Sequence, residues 1–294
     1  MKPIIPIIIL HRNDITNLNL MLKSLKLNTR YSHQIFLIDN FSTPKIIEEL
    51  KLLENSYKDL NIIFSKKNNW LLGFNLAFKH PKWREENYQY YIFSDCDIEV
   101  PYLEGKCWLE RMVDEMNMNR CIGKLGIALK YSDIDKGELY EKVTKQELFF
   151  DTQPKIGNNN IVPVDTTLAI YRKDLFVMNK FKLSIGHASL VRPYYYTCRT
   201  DRNLIEARHL GWYNRGVTNN TTEQLKDKII CFSNYAAYIE PIVFERMPKK
   251  YLLYYRIIKP LAKLYWSSKV LRSLIIYYVK NFPKNINQIQ NKIR

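Results

Sequence analysis

Four short apolar runs within the first 100 residues constrain the fold most: residues 4–10, 34–38, 61–64 and 90–94. They are continuous rather than alternating, as expected of strands buried on both faces of a parallel sheet. Helical patterns fall between them. Leu18, Met21, Leu22 and Leu25 recur at helical spacing behind Asp14 or Thr16 as caps. Thr43-Pro44 reads as a cap and first-turn proline for a helix carrying Ile46, Leu50 and Leu53, and residues 73–79 as a third helix. This alternation predicts an α/β fold with a mostly parallel sheet flanked by helices.

Ligands of such sheets gather beyond the carboxyl ends of the strands. Three of the four runs end there in polar residues: His11-Arg12-Asn13, Asp39-Asn40 and Asp95-Cys96-Asp97. Two carboxylates at i and i+2 can hold a divalent cation, and a cation there can grip a diphosphate. Alternatively, Asp in such a loop caps neighbouring backbone groups. Asp39 and Asn40 have two readings, acceptance from a base N–H or an Asx turn. Arg12 faces a phosphate or water. Residues 66–75 place Asn69 one turn before Gly73 and Asn75 just after it, at a helix start whose N–H groups can meet a ligand.

Beyond residue 100 the pattern loosens. Residues 107–118 read as helix, 125–129 and 164–171 as strands, and 151–163 as a polar, Asn-rich loop. With no repeat or Gly/Ser linker, one catalytic domain is expected over residues 1–248. A nucleotide-binding half (1–100) and an acceptor half (101–248) divide it, and a basic helical extension follows at 249–294. That extension holds 11 of the 45 Lys and Arg and none of the 29 Asp and Glu. The net charge of +16 therefore belongs mainly to the tail and says little about the preferences of the catalytic part.

The ordered motifs at His11-Arg12-Asn13, Asp39-Asn40, Asn69 to Asn75 and Asp95-x-Asp97 resemble the nucleotide-binding half of GT-A fold glycosyltransferases, family 2-like, over about the first 100 residues. The resemblance implies a Rossmann-like GT-A sheet. It sets Asp39 near the donor base, the Asn69–Asn75 segment near the nucleoside, and Asp95 and Asp97 at ribose, metal and diphosphate, with Asp97 ligating directly. The run Val164 to Arg172 is similar to the strand lining the sugar and acceptor site. Ala207 to Tyr213 is similar to a closing segment whose His209 supplies a further ligand to Mn2+ or Mg2+.

The resemblance further implies transfer of a sugar from a nucleotide-sugar donor, UDP-linked, to a hydroxyl of a glycan or lipid-linked glycan, with inversion. The chain departs from many family members in lacking a plain Glu-Asp pair before its last helices. Asp165 is the first choice for the catalytic base, followed by Asp201 and Glu206, with His187 a weaker alternative. Each can equally serve as a cap or surface ion-pair partner.

A sugar-nucleotide nucleotidyltransferase is a rival, but the chain has no Gly-rich, Lys/Arg-containing loop near its start. A non-enzymatic nucleic-acid binder is another, prompted by the basic and aromatic tail; no nucleic-acid partner is expected. Around a helix from Leu261 to Lys280 the tail reads as interfacial, with cations for an anionic membrane surface. Five cysteines without a C-x-x-C fit a reducing cytosol, and the first apolar run is too short to span a bilayer. A cytoplasmic protein, peripheral on the inner membrane face, is the resulting expectation.

Overall fold

The computed structural model describes residues 3–57, 59–83, 88–164, 167–173, 195–214 and 222–292. The first half runs β1 (Ile5–His11), α1 (Ile15–Asn28), β2 (His33–Asp39), α2 (Pro44–Ser56), β3 (Leu60–Phe64), a 3-10 segment (Trp70–Lys79), β4 (Tyr90–Asp95) and β5 (Ile98–Glu99). Then come α3 (Trp108–Met118), β6 (Ile122–Gly126), β7 (Ala128–Leu129), α4 (Glu138–Asp151), β8 (Lys155–Ile156), β9 (Asn159–Ile161) and β10 (Leu168–Arg172). The chain ends with β11 (Tyr196–Arg199), β12 (Glu206–His209), α5 (Leu210–Asn214), α6 (Thr222–Asn234), α7 (Pro241–Glu245) and α8 (Lys249–Lys292).

Among the described residues the main sheet has the order β3-β2-β1-β4-β10-β6-β11-β9-β8. The first four strands are parallel, whereas β10 runs antiparallel to both β4 and β6. The expected mostly parallel sheet therefore holds for the first four strands of the order and becomes mixed beyond β4. Register brings His11 opposite Asp39 and Leu10 opposite Asp95, so the polar strand ends share one edge.

Both faces of the sheet are covered. Ile5, Ile7 and Ile9 join one core with α1 and α3, and Ile8 joins a second core with Phe36, Phe74, Tyr91 and Phe93. This two-sided burial is why β1 reads as a nearly continuous run of Ile and Leu, broken only by Pro6 before its terminal His11. On α1, Leu18, Met21, Leu22 and Leu25 are fully buried, each contributing about 1.5–3 kcal/mol, and Asp14 is the cap that accepts the Asn17 N–H.

Three local expectations are corrected. The third helix is a 3-10 segment starting at Trp70. Its close approach to Leu10 and Asn40 selects Gly73, where a Cβ would come within 2.7 Å of Leu10 Cδ1. The polar stretch 151–163 contains the hairpin β8–β9, turned at Gly157 with φ +57°. The tail helix begins at Lys249 and continues through Pro260. An interior proline costs a helix about 3 kcal/mol; here Tyr251 and Tyr255 before it and Trp266 after it are held against α6 and α7.

Candidate functional site

The site begins where β1 and β2 end. His11 Nε2 accepts the Asp14 N–H at 3.2 Å, so the ring proton of the neutral imidazole resides on Nδ1, which faces Asp39 Oδ1 at 3.3 Å. Asp39 Oδ2 accepts the Ser42 N–H. Burial alone would push the Asp39 carboxyl up; the hydrogen bonds from His11 and Ser42 outweigh it and hold the group below its usual range. Asp39 is completely buried, its two oxygens engaged in a turn. Asn13 adopts a left-handed conformation, φ +57°, and clasps the two loops through Asn13 N to Ser42 Oγ and Thr43 N to Asn13 Oδ1.

Asn40 pins the next loop. Its amide donates to Asn68 Oδ1 and Trp70 O and accepts the Asn69 N–H at 2.8 Å. Asn69 in turn donates to Ser65 Oγ at 2.6 Å. Gly73 lies against Asn40, and half-buried Asn75 follows on the same 3-10 segment. Asn40 and Gly73 thus set the shape of residues 68–75.

Asp95 is the last residue of β4, and its N–H donates to Thr167 O, which also accepts from Ser94 Oγ. Asp97 occupies the turn before β5. There β12 pairs antiparallel with β5, placing His209 opposite Ile98, and the Leu210 N–H bonds to Asp97 O at 2.7 Å. This pairing brings His209 Nδ1 to 3.4 Å from Asp97 Oδ2. Gly211 makes room for the approach: a Cβ there would lie 2.4 Å from Asp97 Oδ2 and 3.1 Å from His209 Cε1. Trp212 stacks on the imidazole at 5.0 Å and 6°. A second bracket holds the segment from behind, with Arg208 bonded to Glu99 and Asp133 and lying 4.4 Å over Tyr213.

Arg12 pairs with Asp227 of α6 and also reaches Phe41 O. Asp201 follows β11, and the Lys155 ammonium at 2.6 Å holds its carboxyl below the usual range despite burial. Glu206 lies 3.4 Å from Arg202, which also pairs with buried Glu147. Asp165 and His187 lie outside the described residues. Asp165 directly follows Val164, whose carbonyl accepts from Lys124, and comes two positions before Thr167.

Among the described residues no three His, Cys, Asp or Glu side chains converge closely enough to hold a metal by themselves. Asp95 ends β4 and Asp97 sits in the following turn, where it meets His209. A carboxylate oxygen and an imidazole nitrogen at this spacing can nevertheless share one divalent ion, because such ions take further ligands from water and substrate phosphates. The gap kept open by Gly211 fits that reading.

Residues 7–177 fit the family model described as Glycosyl transferase family 2. The chain belongs to that family. This glycosyltransferase is of the GT-A type, and the resemblance drawn from its motifs was correct at the level of family, fold and enzyme class.

Among solved structures, a mannosyltransferase from Pyrobaculum calidifontis, determined with GDP-Man and Mn2+, shares 12% identity over 97% of the glycosyltransferase and 81% of that chain, with a TM-score of 0.53. TarS 1–349 from S. aureus, determined with UDP, shares 14% identity over 82% and 68% of the two chains, with a TM-score of 0.47. No curated protein sequence matches.

Three participants escaped the sequence reading. Gly211 carried a visible signal, a glycine two residues after the selected His209. Asp227 and Tyr235 carried none: they reach the site only because α6 folds back onto the loops after β1 and β3.

Proposed function

We propose that this glycosyltransferase moves a sugar from a nucleoside-diphosphate donor, UDP-linked, to a hydroxyl of a glycan or lipid-linked glycan, with inversion. The observation that carries the reading is the meeting of Asp97 Oδ2 and His209 Nδ1 at 3.4 Å beside Gly211, one turn beyond the carboxyl end of β4. Asp97 and His209 would hold Mn2+ or Mg2+ at the donor diphosphate. When bound, that ion offsets the charge developing on the leaving diphosphate.

The chain's own groups do the rest. Residues 68–75, shaped by Asn40 and Gly73, receive the nucleoside, and the His11–Asp39 pair fixes the floor beneath it. Asp39 acts on the base through this loop geometry or after the turn opens, since its side chain is completely buried. Asp95 serves the ribose or an ion-bound water. Arg12 reaches the phosphates when it leaves Asp227.

The proton of the acceptor hydroxyl goes to a carboxylate. Asp165 is preferred over Asp201, whose charge is already committed to Lys155 and whose lowered pKa makes it a weaker base. Transfer assays with a panel of UDP-sugars and GDP-mannose in Mn2+ test the reading. Release of free nucleoside diphosphate that depends on both sugar nucleotide and metal supports it. No turnover with any donor, together with no nucleotide binding by calorimetry, refutes it.

A further inference from the structure

Helix α8 has two apolar sides, and among the described residues one of them is covered. On the inner side Tyr251 and Tyr255 pack against the core formed by Leu225, Ile229, Ile239, Val243 and Met247. Trp266 donates from Nε1 to Asn234 O at 2.8 Å and stacks on Tyr235 at 5.6 Å. On the outer side Leu253, Ile257, Leu261, Leu264, Leu271, Ile275 and Val279 are between 51 and 70% exposed. At 100° per residue these seven fall within an arc of about 80°, and they extend about 39 Å along the helix.

The charges beside this stripe are of one sign. Residues 249–292 hold ten Lys and Arg and no Asp or Glu. Exposed Arg256 and Lys263 border one edge of the stripe, and exposed Arg272 the other. We propose that α8 docks on an anionic lipid bilayer, lying in the interface plane with the stripe among the acyl chains and its flanking cations on the headgroups.

The length and polarity of the helix define that geometry. No described helix is long and apolar enough to cross a membrane, so α8 lies on the surface rather than through it. A second copy of the chain fits the stripe less well, because two such helices bring only cations together and can form no interhelical ion pair. Single-stranded nucleic acid fits it less well too, since bases stack on exposed aromatics and this arc is aliphatic.

Docking there also orients the donor site. The Tyr235 hydroxyl, just past the end of α6 and pushed up to about 12 by burial, meets the backbone of Leu72 in the 68–75 loop, and Asp227 within α6 pairs with Arg12. Helix α6 thus lies between the bilayer-facing helix and the loops after β1 and β3. An acceptor carried by the same bilayer would be presented to a site already held at its surface.

Flotation of the full-length protein with vesicles tests the proposal. Partition onto phosphatidylcholine vesicles carrying about 30 mol % phosphatidylglycerol should exceed partition onto pure phosphatidylcholine about tenfold or more, and should fall as salt rises. The double substitution Leu264→Glu and Leu271→Glu should reduce binding about tenfold or more while leaving the circular dichroism and melting temperature unchanged, because both side chains are exposed. Equal binding to neutral and anionic vesicles, or unchanged binding by the double variant, overturns the proposal. So does a dimer in sedimentation that the double variant dissolves, or an RNA affinity that it abolishes.

Discussion

His209 Nδ1 lies 3.4 Å from Asp97 Oδ2, drawn there by the pairing of β12 on β5 and admitted by the missing side chain of Gly211. Two residues that no local pattern joins become neighbours through one short antiparallel contact. The rest of the site is built differently, from consecutive strand ends placed side by side by the parallel register of β1, β2 and β4.

Gly211→Ala separates function from stability. The added Cβ would meet the far end of the Asp97 side chain, which can swing away at little cost to the fold. Metal-dependent donor affinity should fall about 10–100-fold, as when the support of a ligand is disturbed, with the unfolding free energy changed by less than about 1 kcal/mol. Calorimetry and denaturant unfolding on the same sample check both halves.

Asp39→Asn should destabilise the protein by about 1–3 kcal/mol at neutral pH, because the buried His11 and Ser42 N–H donors lose an ionised acceptor. The pH dependence has a definite sign. The folded-state pKa is lowered from 3.8, so the stabilisation is fully present above that value and is lost as pH falls from it through the lower folded value. The gap between wild type and variant should close over that acidic window in urea unfolding curves.

Asp165→Asn should lower kcat about 10²–10⁴-fold while donor binding is retained, as expected for loss of a general base. Asp201→Asn should cost less than about tenfold, since that carboxylate is held by Lys155 and the Asn203 N–H. The reverse order in steady-state kinetics would move the base to Asp201.

The Arg12–Asp227 pair is partly exposed, with side-chain accessibilities of 30% and 21%. A double-mutant cycle on thermal stability should give a coupling of about 0.2–1 kcal/mol, and added salt should reduce it. Arg12→Ala should raise the donor KM several-fold with kcat little changed, the sign of an interaction made equally in ground and transition states.

The donor half was legible because its information is local. Each of β1, β2 and β4 is a continuous apolar run, and each ends in the polar residues that the register gathers at one edge. The Asp97–His209 contact was readable only through family resemblance, since the β5–β12 pairing is just two residues long on either side. The 3-10 segment was read as a helix because its apolar spacing fits both; its geometry is decided by contacts with Leu10 and Asn40, distant in sequence. Nor does any local signal announce the two sides of α8. Basic, aliphatic and aromatic residues interleave along it, and only its packing on α6 shows which side is covered.

On the proposed reading, Asp97 and His209 hold a divalent ion for the donor diphosphate. Calorimetric titration of UDP and GDP into wild-type and Asp97→Ala protein, with Mn2+ and with chelator, tests it most directly. Nucleotide binding to wild type should require Mn2+ and be weakened about a hundredfold or more in the variant, whose melting temperature stays unchanged. Equal binding with chelator, or full Mn2+-dependent binding by Asp97→Ala, would contradict it.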